Sequence, residues 1–314
     1  MDKKTVRFCA IVILFAIGFR LYVGGFFHQC LDILAGPKVR AFLLYAGTGM
    51  VYVPPEETTM PEETVPEATQ PLPTFSPDDA ALLHITNYPE YTLDVPAMLT
   101  APLSWDLTTE APAVLIVHTH ACESYEGTAD YRTTDKTENM VSVGEELAKS
   151  LRNKGIAVLH DTTLHDDPYY DGAYFRCRDT VEQYLQQYPS IQMVIDLHRD
   201  AYTDSSGNQA SGAITVGGVT TSRLMFLVGT DADGWIHPGW SENLSTALKL
   251  QTVLEKKYPG LCRPICMRSS AFNQDLSPGM LLIEVGTAGD QKEQALQAVE
   301  FLSEGIAALS RGSN

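Results

Sequence analysis

From Ala111 onward, short apolar runs rich in Val and Ile alternate with longer stretches in which apolar residues recur every three to four positions. The first pattern predicts strands and the second amphipathic helices. Their alternation predicts one three-layer α/β domain with a largely parallel central sheet flanked by helices. Strands are expected at 113–117, 156–159, 193–197, 224–228 and 281–285. Helices are expected at 138–154, 174–187, 241–257 and 291–309, with Asn153-Lys154-Gly155 reading as a helix end whose glycine takes the left-handed conformation.

The first eighty residues follow other rules. Residues 8–27 (FCAIVILFAIGFRLYVGGFF) come after Lys3, Lys4 and Arg7 and have about the 20-residue length of a membrane span. Arg20 interrupts the run, and its long stem can snorkel toward the far interface. The preceding basic residues favour a cytoplasmic amino terminus and an exported remainder, that is, a single-pass anchor with an extracytoplasmic domain. Two other readings are a cleaved signal peptide, for which no small-x-small site follows at the right distance, and a buried amphipathic helix. From Pro54 to Asp79 the chain repeats Pro-Glu-Glu-Thr units without a basic residue, a composition that cannot offset chain entropy by burial and predicts an extended tether. The expected organisation is an anchor region over 1–50, an acidic Pro/Thr-rich linker over 51–80, a lead-in segment over 81–110 and the folded domain over 111–314.

Charge sharpens this division. Residues 1–40 hold six basic and two acidic side chains, 41–110 none and eleven, and 111–314 sixteen and 26, for a net −17. The acidic balance argues against a nucleic-acid binder, which normally presents a basic face. The six cysteines include no Cys-x-x-Cys pair, which argues against a zinc knuckle or a dense disulfide framework and leaves a Cys262–Cys266 bridge open.

Three expected strands end in chemically unusual residues: the first runs into VHTHACESY, the third into DLHRD, and the last carries Glu284 in LLIEVGT. Open α/β sheets build sites beyond the carboxyl ends of their strands, so these groups can converge. His120 and Glu123, three apart, form with His198 a His/Glu/His set of the kind that holds catalytic zinc and leaves a fourth position open. His118 lacks a partner at that spacing and reads as a supporting or core histidine, and Cys122 as facing away. Glu284, flanked by apolar residues, is costly to bury ionised without a purpose; beside a cation it could accept a proton from water and pass it to a leaving amine. Its alternative is an ion pair with Arg199 or Arg268. Arg199 could polarise a carbonyl or bind a substrate carboxylate as a further catalytic group, and Asp200 could orient a ligating imidazole, with a structural salt bridge as the alternative for each. Trp235 and Trp240 offer rings for a sugar face or for the core, and the polar, Gly-rich stretch 202–222 could form a substrate loop or a plain hairpin. No Gly-x-Ser-x-Gly elbow or phosphate loop is present.

HTHACESY, NMVSVGEELAKSLRNKGIAVLHD, HDDPYYDGAYFRCRDTVEQYL, VIDLHRDA and FNQDLSPGMLLIEVGT together resemble the stage II sporulation protein P family over roughly residues 110–310. The resemblance implies a membrane-anchored, zinc-dependent peptidoglycan hydrolase similar to the N-acetylmuramoyl-L-alanine amidases, remodelling the septal wall during forespore engulfment. It also implies partnership with the stage II sporulation proteins D and M and cleavage of peptide cross-links besides the amide. Carried over, it places zinc on His120 and His198 and the catalytic carboxylate on Glu284. The carboxylate ligand is Glu123 or, as in related amidases, Glu138 at the start of the first helix. A non-catalytic or partner-activated wall-binding module and a zinc carboxypeptidase are the competing classes.

Overall fold

Among the described residues seven strands form the central sheet, in the order β1 (Ile85–Asn87), β8 (Ile265–Arg268), β7 (Leu224–Gly229), β9 (Met280–Thr287), β4 (Met193–Asp200), β2 (Val114–Val117) and β3 (Val158–His160). A computed structural model describes residues 72–313. The anchor expected at 8–27 and the tether up to residue 71 lie outside the described residues. Among the described residues no helix is long and apolar enough to cross a membrane.

β2 (Val114–Val117), β4 (Met193–Asp200) and β9 (Met280–Thr287) occupy the middle of the sheet, and their residues are almost all buried, as their near-continuous apolar sequences require. β3 (Val158–His160) closes one edge. β7 (Leu224–Gly229), β8 (Ile265–Arg268) and β1 (Ile85–Asn87) extend the other. Every neighbouring pair is parallel except β7 with β9, so a largely parallel sheet flanked by helices is what forms. β8 and β1 were not among the expected strands: each is only three or four residues long, too short to show a period. The segment 81–110, expected as a lead-in, supplies β1 and a short helix, α1 (Val95–Thr100).

Four helices cover one face: α1, α2 (Met140–Asn153), α4 (Trp240–Lys257) and α5 (Lys292–Ala308). Their apolar sides meet Val114, Ile116, Ile195, Leu197, Phe226 and Ile283 in one core. α2 begins where the Asn139 side chain accepts from the Val141 amide, an N-cap that satisfies one of the helix's free donors. It ends before Gly155, whose φ of +79° is the left-handed turn expected there.

The other face carries only α3 (Ala173–Gln187) among the described residues. Cys177 and Val181 of that helix pack on Leu115, Val117 and Val194. α3 therefore roofs the β2/β4 side and leaves the β7–β8–β1 side open, so the third layer is partial. The stretch 202–222 contains an antiparallel hairpin of β5 (Ile214–Val216) and β6 (Val219–Thr221). Asp290 anchors it by accepting from Ser211 Oγ, the Gly212 amide and Ser222 Oγ. Cys262 and Cys266 are buried free thiols, without a bridge between them.

Candidate metal centre

β4 lies between β2 and β9, so groups at the ends of these three strands fall beside one another. His198 and Glu284 are direct cross-strand partners with side chains on the same face. Just beyond them the register slips: His198 to Asp200 faces Glu284 to Thr287. This bulge is carried by Gly286 at φ +72°, where a Cβ would collide with Ser222 and Asp290.

His120 and Glu123 sit on the turn after β2, closed by the Glu123 amide donating to the His120 carbonyl at 3.1 Å. That turn brings His120 Nδ1 to 3.5 Å from Glu123 Oε1, while His198 Nδ1 lies 3.6 Å from Glu123 Oε2. One donor atom from each residue falls within 4.8 Å of the others, and all three residues are buried. Donors bound tetrahedrally at zinc distances of about 2.0–2.2 Å stand roughly 3.3–3.6 Å apart. The three donors are of the kinds that zinc takes and lie close enough together to share one metal ion.

The charges are arranged to suit a cation. Burial alone would raise the Glu123 carboxyl, but its contacts with His120 and His198 outweigh that and hold it well below the usual range. Burial likewise disfavours charge on His198, and Asp196 and Glu123 more than compensate. Asp196 was not singled out in the sequence. It is wholly buried, with Oδ1 3.0 Å from His198 Nε2, although the pair is not aligned as a hydrogen bond. Its carboxylate is fixed by the Thr119 amide and hydroxyl at 2.8 and 2.6 Å. The legible signal was an acid two places before His198 in an otherwise apolar strand, since alternate residues share a face. Asp200, the expected orienting group, instead pairs with Arg263 at 2.7 Å. Asp196→Asn is expected to weaken zinc affinity about 10–100-fold, the usual effect of losing a carboxylate behind a ligating histidine; competition against a chromophoric chelator measures it.

Arg199, expected beside the reacting groups, contacts the loop that carries Glu123. Its backbone amide donates to Glu123 Oε2 at 3.1 Å, and its guanidinium donates to the carbonyls of Ser124 and Tyr131 at 2.9 and 2.8 Å. With its side chain nearly buried and these donors engaged, it clasps the loop that carries Glu123. Glu138, the alternative ligand, forms a surface pair with Lys292 at 2.7 Å and is not in the donor group. Cys122 also lies outside it, its thiol pushed up to about 12 by burial and by Asp166. His118 is wholly buried, 3.1 Å from the Leu197 carbonyl and 2.9 Å from His160. Gly144 makes room for that pair, because a Cβ there would lie 2.5 Å from His118 Nε2.

Glu284 forms no ion pair with Arg199 or Arg268; its Oε2 is enclosed and without a hydrogen-bond partner among the described residues. Burial pushes this carboxyl up to about 8, with the charges of Glu123 and Asp200 adding to the effect and those of His198 and Arg199 opposing it. An unpartnered carboxyl of raised pKa, next to a set of metal donors but not one of them, is a group free to exchange a proton.

The family model for stage II sporulation protein P (SpoIIP) matches residues 52–307, most of the chain. The chain belongs to the SpoIIP family. It is 29% identical over 208 residues to stage II sporulation protein P of Bacillus subtilis (strain 168), covering 61% of this chain and 49% of that protein. The chain thus matches about half the length of this curated relative. Among solved structures, it is similar to an N-acetylmuramoyl-L-alanine amidase from Clostridium difficile 630, at TM-score 0.36 and 17% identity, covering 63% of this chain and 94% of that one. It is also similar to the catalytic domain of CwlV, an N-acetylmuramoyl-L-alanine amidase from Bacillus (Paenibacillus) polymyxa var. colistinus, at TM-score 0.36 and 10% identity, covering 62% and 94%.

Around the donors, this SpoIIP member builds an aromatic wall. The Tyr170 ring stacks on His120 at 4.4 Å between centroids, and Tyr174 stands edge-on to it at 5.4 Å. Asn273 ties the following wall to α3 by donating to the Tyr174 carbonyl at 2.8 Å. Phe272 and Asn273 are held at φ +51° and +58°, backbone that non-glycine residues adopt only where the surroundings impose it. Beyond Phe272, half-exposed Trp235 lies over the Arg178 guanidinium. Trp240 is partly buried, packed against the core and stacked on Tyr91 at 4.6 Å.

Proposed function

We propose that this SpoIIP family member is a zinc-dependent peptidoglycan hydrolase that cleaves the N-acetylmuramoyl-L-alanine amide, and peptide cross-links as a second activity, in septal wall remodelling during engulfment. The observation that carries this reading is the buried His120, Glu123 and His198 donor set with the unpartnered Glu284 on the adjoining strand. Membership of the family supports the sporulation context.

A zinc ion held by the three donors would supply Lewis-acid polarisation of the amide carbonyl and a lowered pKa for water. The chain's own residues do the rest. Asp196 and Thr119 hold the His198 ring in place, Arg199 holds Glu123, and Tyr170 shields the outer side of His120. Glu284 takes the proton from the attacking water and delivers it to the departing nitrogen, the step that makes the amine a leaving group.

The reading extends to the cell. An N-terminal anchor would hold the domain outside the membrane at the sporulation septum, and stage II sporulation proteins D and M would be its partners. The test is mass spectrometry of fragments released from purified peptidoglycan by the full chain, with a chelator and then with zinc restored. Free stem peptides that vanish on chelation and return with zinc are expected. Release that persists without metal overturns the zinc mechanism. No release from a chain that binds stoichiometric zinc turns the reading toward a wall-binding module.

A further inference from the structure

The open half of the sheet's second face forms a cleft of about 570 Å³ that begins at Glu284. Its floor follows the strand register. Met225 on β7 lies directly across from Glu284, Leu227 follows two places on, and Leu227 in turn faces Cys266 on β8. Arg268, two places beyond Cys266, stands at the far end of this floor, level with Gly229.

The charges lining this cleft do not all cancel. Arg263 is paired with Asp200. Elsewhere Arg132, Arg178 and Arg199 each face a carboxylate, as a chain with 39 acidic and 22 basic residues makes easy. Arg268 forms no ion pair with any described residue. Its guanidinium lies 4.5 Å from the centroid of the Tyr88 ring, at the end of β1. Stacking on a tyrosine face orients the planar group while leaving its edge, with the hydrogen-bond donors, directed outward. A stacked, unpaired guanidinium at the end of a cleft matches a carboxylate, which it can bind through two parallel hydrogen bonds.

The register also gives the reach. From Glu284 to Arg268 the path crosses two strand spacings, about 10 Å, and four residues along the strand, about 13 Å, a diagonal of roughly 16 Å between Cα atoms. An arginine side chain shortens that by several ångströms, leaving about three residues of an extended peptide at roughly 3.3–3.6 Å each. We propose that Arg268, stacked on Tyr88, binds a carboxylate of the substrate's stem peptide about three residues from the scissile amide, so that this arm of the cleft is the peptide subsite. The proposal rests on the peptidoglycan reading above and names the part of the substrate that the open sheet face receives.

The test is isothermal titration of the detergent-solubilised full chain with a synthetic stem tetrapeptide bearing free carboxylates and with its fully amidated counterpart. The wild-type chain is expected to bind the free acid about tenfold more tightly than the amide, the effect of one charge-assisted bidentate contact. R268Q should lose that preference while melting at the wild-type temperature. R268K, which keeps the charge but not the fork, should fall between them. A wild-type chain that binds both peptides alike, or an R268Q chain that keeps the preference, overturns the proposal. Cleavage assays separate this from the enzymatic reading. A chain that shows the Arg268-dependent preference but releases nothing from peptidoglycan keeps the subsite and loses the hydrolase; one that hydrolyses without the preference does the reverse.

Discussion

Glu284→Gln is expected to bind zinc as the wild type does and to lose roughly 10²–10⁴-fold in amide turnover, the usual share of a general acid–base group. The substitution keeps the size of the side chain at a position packed between Met225 of β7 and His198 of β4. Glu284 is not in the donor set, so zinc content by elemental analysis should not change. What the carboxamide cannot do is accept and return a proton. Turnover near the wild-type level would remove Glu284 from the mechanism.

The same variant carries a pH signature in the metal-free chain. The Glu284 carboxyl goes from an ordinary value of 4.5 to about 8 on folding, so the native state binds the extra proton between those limits. The stability this provides is complete below about pH 4.5 and is lost as the pH rises through 8, where the buried carboxylate must ionise. Thermal unfolding of the wild type should therefore drop across that window by more than that of Glu284→Gln. Parallel curves for the two would show that the carboxyl is not held protonated.

His198→Ala is expected to abolish both zinc binding and hydrolysis. His198 is almost wholly enclosed and stands between two carboxylates, with Asp196 at 3.0 Å from one ring nitrogen and Glu123 at 3.6 Å from the other. Removing the ring takes away one donor of three and leaves both acids without the group between them. Breaking a buried charge pair costs about 3–5 kcal/mol, so the variant should also melt well below the wild type. Pairing it with Asp196→Asn removes one of the stranded charges and should recover part of the stability without recovering metal. Stoichiometric zinc in His198→Ala would remove this residue from the centre.

The elements of the domain were legible where they were long or deeply buried. The four expected helices and the strands of the middle sheet stand within two or three residues of the observed boundaries, because a continuous apolar run or a sustained helical period records burial directly. β1 and β8 leave no such record, because each is only three or four residues long. The donor set was legible because His120 and Glu123 are three apart and His198 ends an apolar strand. Asp196 stood in the same strand, but its role depends on a neighbour two places away and on Thr119 from another strand end.

By itself, then, the sequence determined the α/β class and the list of groups able to do chemistry, since these follow from residue type, periodicity and local spacing, while five motifs in order carried the family resemblance. Tertiary structure decided what each group is for. Sheet order set β4 between β2 and β9 and so brought His198 beside both Glu123 and Glu284. It gave Asp200 to Arg263 and left the imidazole to Asp196, and it turned Arg199 inward to hold the Glu123 loop. Among the described residues it also left one half of a sheet face uncovered, with an arginine at its end that forms no ion pair. These outcomes depend on which strands are neighbours and in what register, a long-range choice made by the packing of the whole core.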